Sequence, residues 1–265
     1  MEAVERRVLL SAYTLNQLGS FGINATGVDP ASTLVADSAG NLYGTASAGG
    51  PYGQGTIFEI AHGSNAITTL ASFNGTNGST PWGTLAIDPS GNLYGATTVG
   101  GPYPNSNGTV FELAQGSNVV TTLAAFNGAY KLAPFGGVTL DSSGNLFWTA
   151  QGGNNGDGAV FELAKGSPFP TMVDFIGANG AYPYAGITCD ASGNVYGTTT
   201  GGGAYGYGTV FEIASGSNTI TTIASFNSWS QPEAALTLDP SGDLLGTTHN
   251  GGTFGLGTVF EIAKG

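Results

Sequence analysis

Charge is scarce in this chain. Of 265 residues only 8% are Asp, Glu, Lys or Arg, and 5 basic against 17 acidic residues leave a formal charge of −12. That balance excludes nucleic acid and anionic membrane surfaces as partners, since both are held by clustered Lys and Arg. A single cysteine, Cys189, excludes a disulfide framework and any Cys-based metal site. Two histidines, His62 and His249, are too few for a three-His zinc centre, and no metal or cofactor is predicted. No apolar run approaches about 18 residues, so no membrane span is predicted. Helical periodicity is absent. Met1-Glu2-Ala3-Val4-Glu5 lacks the basic-then-apolar order of a secretory leader.

Glycine is abundant: 46 Gly with 12 Pro would suit a disordered chain, but 40% of residues are hydrophobic and they recur at fixed intervals. An Asp-x-x-Gly-Asn/Asp box begins at Asp37, Asp88, Asp141, Asp190 and Asp239, at steps of 51, 53, 49 and 49 residues. A Phe-Glu pair recurs at Phe58-Glu59, Phe111-Glu112, Phe161-Glu162, Phe211-Glu212 and Phe260-Glu261. A lone Phe follows the same rhythm at Phe21, Phe73, Phe126, Phe175 and Phe226. A Pro precedes each box at Pro30, Pro81, Pro134, Pro183 and Pro232. Four markers in one register leave no room for a second domain, so residues 1–265 read as one domain of five repeats.

Each copy reads as four strands. In the second they are Gly83 to Asp88, Asn92 to Thr98, Thr109 to Ala114 and Val119 to Phe126, with Pro89-Ser90-Gly91 as the first turn. Strands such as Thr109-Val110-Phe111-Glu112-Leu113 are apolar on both faces, which suits sheets packed against a neighbour on each side. Four-stranded repeats of this length predict an all-β, five-bladed β-propeller. The segment Thr14 to Phe21 aligns with Thr219 to Phe226, a fourth strand, while the chain stops after a third strand, Thr258 to Ala263. The N-terminal strand is therefore expected to pair into the last blade and close the ring, removing two sheet edges.

Asp-Ser-Ala-Gly-Asn-Leu-Tyr-Gly (37–44), Gly-Thr-Val-Phe-Glu-Leu-Ala (108–114) and Thr-Thr-Leu-Ala-Ser-Phe (68–73) resemble the GloVer tandem repeat, the Gloeobacter/Verrucomicrobia-type repeat. More distantly the repeat is similar to NHL and virginiamycin B lyase-type propeller repeats. The resemblance implies a propeller in a secreted or surface-anchored bacterial protein whose leader is absent from this chain. It implies no established activity.

Symmetry separates architecture from function. The boxed Asp can accept backbone N–H groups in its own turn. The rival, a repeated Ca²⁺ site, needs denser carboxylates. Glu59 and its equivalents sit mid-strand and are expected to be buried, with backbone or Thr donors. Tyr52, Tyr103, Tyr205 and Phe254, in the loops between the second and third strands, are expected to cover the neighbouring blade. Cys189 stands where other copies have Ile87, Leu140 and Leu238, and reads as core. The position after each Pro varies instead: Ala31, Trp82, Phe135, Tyr184 and Glu233. Antiparallel register carried outward from the box pairs these with Ser47, Thr98, Gln151, Thr200 and His249.

These pairs predict a variable ring at one mouth of the channel, with Trp82, Phe135, Tyr184, Gln151, Thr98 and Thr200 as ligand contacts. The alternative is that the aromatics plug the channel. Trp229, close in sequence to Glu233, joins the ligand candidates, as does Lys131, the only Lys or Arg in a loop on that face. Glu233 and His249 are the one titratable pair, and a carboxylate can orient an imidazole as a base. His62 lies in a turn at the other end and reads as solvated. The expected function is a secreted, monomeric propeller binding a small polar molecule or glycan at this mouth. A hydrolase or lyase using Glu233 and His249, or a purely structural display module, remains the alternative.

Overall fold

The structure, a computed structural model, describes residues 16–22, 26–30, 32–127, 134 and 136–265. Every regular element among them is a β-strand. The first sheet holds β1 (Val28–Pro30), β2 (Val35–Ala36), β3 (Leu42–Ala48), β4 (Thr56–Ile60) and β5 (Thr68–Ser72). The second holds β6 (Ser79–Pro81), β7 (Ala86–Ile87), β8 (Leu93–Val99), β9 (Ser106–Leu113) and β10 (Val120–Asn127). The third holds β11 (Thr139–Leu140), β12 (Leu146–Ala150), β13 (Ala159–Leu163) and β14 (Thr171–Asp174). The fourth holds β15 (Thr188–Cys189), β16 (Val195–Thr199), β17 (Thr209–Ile213) and β18 (Thr221–Ser225). The last has three: β19 (Thr237–Leu238), β20 (Leu244–Thr248) and β21 (Thr258–Ile262). All pairings within these sheets are antiparallel, in the order the sequence predicts.

Two of the sequence markers prove to be one joint. The lone Phe ending the fourth strand lies edge-on to the Phe of the next Phe-Glu pair. Centroid separations are 5.0 Å for Phe73–Phe111, 5.8 Å for Phe126–Phe161, 5.1 Å for Phe175–Phe211 and 5.2 Å for Phe226–Phe260. Phe21 makes the same contact with Phe58 at 4.9 Å. Each such pair adds about 0.5–1.5 kcal/mol beyond the area it buries. Around it, residues of consecutive sheets form shared cores, as where Ile57, Ala71 and Phe73 meet Leu85, Leu93 and Phe111. Cys189 packs at the edge of such a core as expected, and burial, with Asp141 and Asp190 nearby, pushes its thiol up to about 12.

The fourth strand expected for the last sheet is not formed among the described residues. Residues 16–22 carry no strand, and the segment runs beside the first sheet, where Gly19 lies against Ile67. Thr14 lies outside the described residues. β21 accordingly has one partner, β20. Val259 on it is 81% exposed, whereas its equivalents Ile57, Val110, Val160 and Val210 are 0–3% exposed.

Register departs from the simple hairpin in every copy. Ala86 faces Tyr94, but Pro81 faces Thr97, so five residues of the inner strand span three of its partner. The first sheet repeats this with Pro30 on Ala46 and Val35 on Tyr43, and the third with Pro134 on Ala150 and Thr139 on Phe147. Two residues bulge out each time. Trp82 therefore donates its backbone N–H to Ala96, not to a partner at Thr98. Bulges of adjacent sheets touch backbone to backbone: a Cβ on Gly83 would lie 2.4 Å from the Gly137 nitrogen. Thr139 Oγ1 donates to the Ile187 carbonyl at 2.7 Å across the next joint.

One residue of β8 shows how tightly the joint is filled. A Cβ on Gly95 would sit 2.5 Å from Phe111 Cζ and 2.6 Å from Leu85 Cδ2, and Gly44, Gly197 and Gly246 are equally confined. The third sheet has Trp148 there, fully buried and stacked on Phe161 at 5.4 Å, and its Phe126–Phe161 pair is correspondingly wider. Gly95→Ala is expected to lower stability by about 1–3 kcal/mol through overpacking. Trp148→Ala should cost about 3–5 kcal/mol by leaving a cavity. Urea unfolding midpoints at constant m-value measure both.

Candidate functional site

The bulged end of the sheets is built on a strained residue. Asp29, Thr80, Tyr182 and Gln231 each directly precede a marker Pro and each has φ between 46° and 59°. Left-handed backbone costs a non-glycine residue on the order of 1 kcal/mol and persists only when its surroundings fix it. Here the fixing groups are visible. Ser47 Oγ, Thr98 Oγ1 and Thr200 Oγ1 donate to the carbonyls of Asp29, Thr80 and Tyr182 at 3.1–3.2 Å. Thr98 and Thr200, placed by sequence among the ligand contacts, thus hold the bulge in shape. In the last sheet the His249 backbone N–H does this for Gln231 at 3.0 Å, leaving the imidazole side chain free to turn elsewhere.

It turns to Glu233. His249 Nδ1 lies 3.7 Å from Glu233 Oε2, with both side chains more than half exposed. A two-residue slip preserves the face on which a strand residue points, so the two side chains still meet although they are not backbone partners. A pair this exposed adds at most about 1 kcal/mol to stability. Trp82, Tyr184 and Trp229 are 44%, 46% and 65% exposed, which is not the burial of a channel plug. Gln151 is half-buried. Phe135 and Lys131 lie outside the described residues. Tyr52, Tyr103, Tyr205 and Phe254 do not cover a neighbouring sheet. All four project into solvent, because the Gly pair before each turns the loop outward.

The box end is a hydrogen-bond lattice. Asp37 Oδ1 accepts the backbone N–H groups of Ala39 and Asn41, and Oδ2 accepts Asn41 Nδ2 at 2.8 Å. Asn41 Oδ1 in turn accepts the His62 N–H at 2.8 Å, tying the first turn of the sheet to its third. Asn92, Asn145 and Asn194 repeat this bond toward Gln115, Lys165 and Ser215. His62 itself is exposed, as expected.

The repeated glutamates differ from expectation. Glu59, Glu112 and Glu212 are half-buried, and their partners are tyrosines rather than Thr or backbone groups. Tyr43 Oη lies 3.0 Å from Asp37 Oδ2 and 3.2 Å from Glu59 Oε1, and Tyr94 and Tyr196 bridge Asp88 to Glu112 and Asp190 to Glu212 in the same way. The signal lay in the sequence as a Tyr six residues after the boxed Asp in three copies; the others have Phe147 and Leu245. Glu162, without a tyrosine, is pushed up by burial and by Asp141. Desolvation works to raise Asp37, Asp88 and Asp190, but the hydrogen bonds they accept outweigh it and hold all three below the ordinary value. A cleft of about 620 Å³ between the first two sheets opens beside Asp37, Tyr43 and Glu59. No group of three or more His, Cys, Asp or Glu suited to a metal ion occurs among the described residues.

Antiparallel sheets of one repeated pattern, each packed face-on against the next, define a β-propeller. The chain belongs to the Gloeobacter/Verrucomicrobia repeat family, whose profile matches residues 7–149 and 104–265. A comparison with curated proteins finds no match. Among solved structures, the chain is similar to one in the crystal structure of a nidogen/laminin complex, at 15% identity and TM-score 0.54 over 83% of this chain and 72% of that one. It is similar to a gluconolactonase from Xanthomonas campestris at 12% identity and TM-score 0.55, over 90% and 73% of the two chains. It is also similar to TolB from Acinetobacter baumannii at 12% identity and TM-score 0.53, over 87% of this chain and 52% of that one. At these identities the likeness establishes the fold.

Burial, reinforced by the neighbouring carboxylates, pushes Tyr43, Tyr94 and Tyr196 up to about 12 from the ordinary value of 10. Their contribution to stability is therefore fully present below pH 10 and is lost as pH rises toward 12. A tyrosinate absorbance titration should show a late component from these three residues, and Tyr94→Phe should reduce it.

Proposed function

We propose that the protein is a single-domain, five-bladed propeller, monomeric and exported, that binds a neutral polar small molecule, a saccharide, at the bulged end of its sheets. The observation that carries this reading is the Glu233–His249 contact at 3.7 Å. It sits at a position where all five repeats differ, Ala31, Trp82, Phe135, Tyr184 and Glu233, and at the end that also presents Trp229. Aromatic faces beside a hydrogen-bonding carboxylate and imidazole are the groups that recognise a sugar's apolar face and its hydroxyls. Gln151, Phe135 and Lys131 belong to the same end by sequence position. The Gly-, Ser- and Thr-rich, Lys-poor composition and the family's repeat support export.

A second reading has an observation of its own. With Nδ1 turned to Glu233, His249 Nε2 has no hydrogen bond among the described residues. A free Nε2 beside a carboxylate is what a general base needs to take a proton from a substrate, which suits a hydrolase or lyase. Glu233→Gln and His249→Ala, assayed on a glycan array and a panel of hydrolase substrates, separate the two. Weakened glycan binding with no turnover in the parent protein is the expected result. Turnover that either variant abolishes while binding survives would establish the enzyme. Unchanged behaviour in both assays would leave a structural display module.

We infer in addition that the ring closes. Leu34 is 43% exposed where Leu85, Val138, Ile187 and Leu236 are 2–6% exposed. Each of those four packs into a shared core with the preceding sheet's equivalent of Val259. Leu34 and Val259 are thus the two unmatched halves of a fifth joint, and Phe21 already occupies its place against Phe58. Val259→Asp tests this. In a closed ring it should cost at least about 2 kcal/mol by burying a charge. A change within about 0.5 kcal/mol, as for a surface residue, would mean the edge stays open.

A further inference from the structure

We propose a second, independent ligand site: the groove on the outer edge between the first and second sheets, which takes a neutral saccharide chain. The groove, about 470 Å³, is lined by residues of β5 and the start of β10 together with Tyr52, Asn74, Asn77, Asn118 and Val119. None of its lining residues carries a charge at neutral pH. It shares no residue with the Glu233–His249 end.

Three features mark it as a receptor rather than a seam. The first is the tyrosine. Tyr52 is 62% exposed, and Gly49 and Gly50, at φ 81° and 72°, turn its loop outward. The Gly53 N–H to Gly50 carbonyl bond at 3.1 Å holds the loop in that shape. A ring held in solvent by a fixed backbone loses little freedom when a ligand stacks on it.

The second is unused hydrogen-bonding capacity. Asn74 Oδ1 accepts the N–H groups of Thr76 and Asn77, and Asn77 Oδ1 accepts that of Asn74, so both amide oxygens are engaged in the turn. Their Nδ2 groups, and the whole side chain of Asn118, make no hydrogen bond among the described residues. Two unengaged NH₂ donors and one complete amide suit the paired donors and acceptors of sugar hydroxyls.

The third is charge. An amide-lined groove on a chain of net charge −12 disfavours an anionic polymer, and like charge on two copies disfavours self-association. Apolar contact comes from Val119, which is exposed beside Asn118. A ligand with hydroxyls on its edges and C–H groups on its faces satisfies all three features. A groove of about 470 Å³ has room for more than one sugar unit.

The test is isothermal titration of the full chain with cellohexaose, mannohexaose and xylohexaose, followed by heparin as an anionic control. At least one neutral hexaose should bind and heparin should not. Tyr52→Ala and Asn118→Ala should each weaken that binding at least about tenfold, with Tyr52→Phe retaining it and Tyr205→Ala, at the equivalent loop position of the fourth sheet, leaving it unchanged. Because Tyr52 and Asn118 are exposed, thermal melts of these variants should match the parent. No heat with any of the three hexaoses would overturn the proposal. So would binding indifferent to Tyr52, binding abolished by Trp82→Ala, which would put the ligand at the bulged end, or a Tyr52-dependent dimer in sedimentation.

Discussion

A phenylalanine laid edge-on against a phenylalanine of the next sheet is the contact around which this chain is organised. Each sheet must be apolar on both faces to make two such joints, which is why its central strands do not alternate between hydrophobic and polar residues. The ring of Phe111 fills the space a side chain at position 95 would take, so that position is glycine wherever the joint is narrow. Trp148 is the exception that the same geometry explains: where an indole occupies the site, the two phenylalanines stand further apart. With the interior largely fixed this way, most chemical variety falls at the bulged end.

The two rims solve different problems. At the box end, one carboxylate receives two backbone N–H groups and an asparagine amide, and that asparagine reaches across to the next turn. The tyrosine between Asp and Glu extends the lattice down the strand. Repetition of this unit makes that end rigid and chemically uniform. At the bulged end, two extra residues per sheet and, in four of the five copies, a left-handed residue before the marker proline lift a side chain away from the sheet. A hydroxyl or backbone N–H holds the strained carbonyl, and the lifted position is then free of structural duty. It is there that Trp82, Tyr184 and Glu233 differ.

The repeat, the strand order and the antiparallel pairing were legible in the sequence because the boxes and Phe-Glu pairs recur in one register. The meeting of Glu233 with His249 was legible too, since strand residues keep their face across an even slip. The slip itself was not legible. Every copy carries the same two extra residues, so comparing copies with one another could not expose it. The bond that Thr98 and Thr200 each donate to a strained carbonyl was hidden for that reason. The glutamate partners were missed for a different reason. Tyr43, Tyr94 and Tyr196 stand at a constant spacing after the boxed Asp, but Phe147 and Leu245 take that place in the other two copies and hide the polar role of the position. The outward turn of Tyr52 follows from two left-handed glycines whose sense is set by φ, which composition does not report.

The phenylalanine joint has a consequence for how such a chain can change over time. Each joint draws one partner from one copy and one from the copy after it, and the two faces of a copy fit each other rather than any unique neighbour. Unequal recombination that inserts or removes a whole copy therefore brings the same phenylalanine pair together at the new seam. Copy number is inherited separately from stability, and the curvature accumulated per copy, not the chemistry of any interface, decides which numbers can meet end to end.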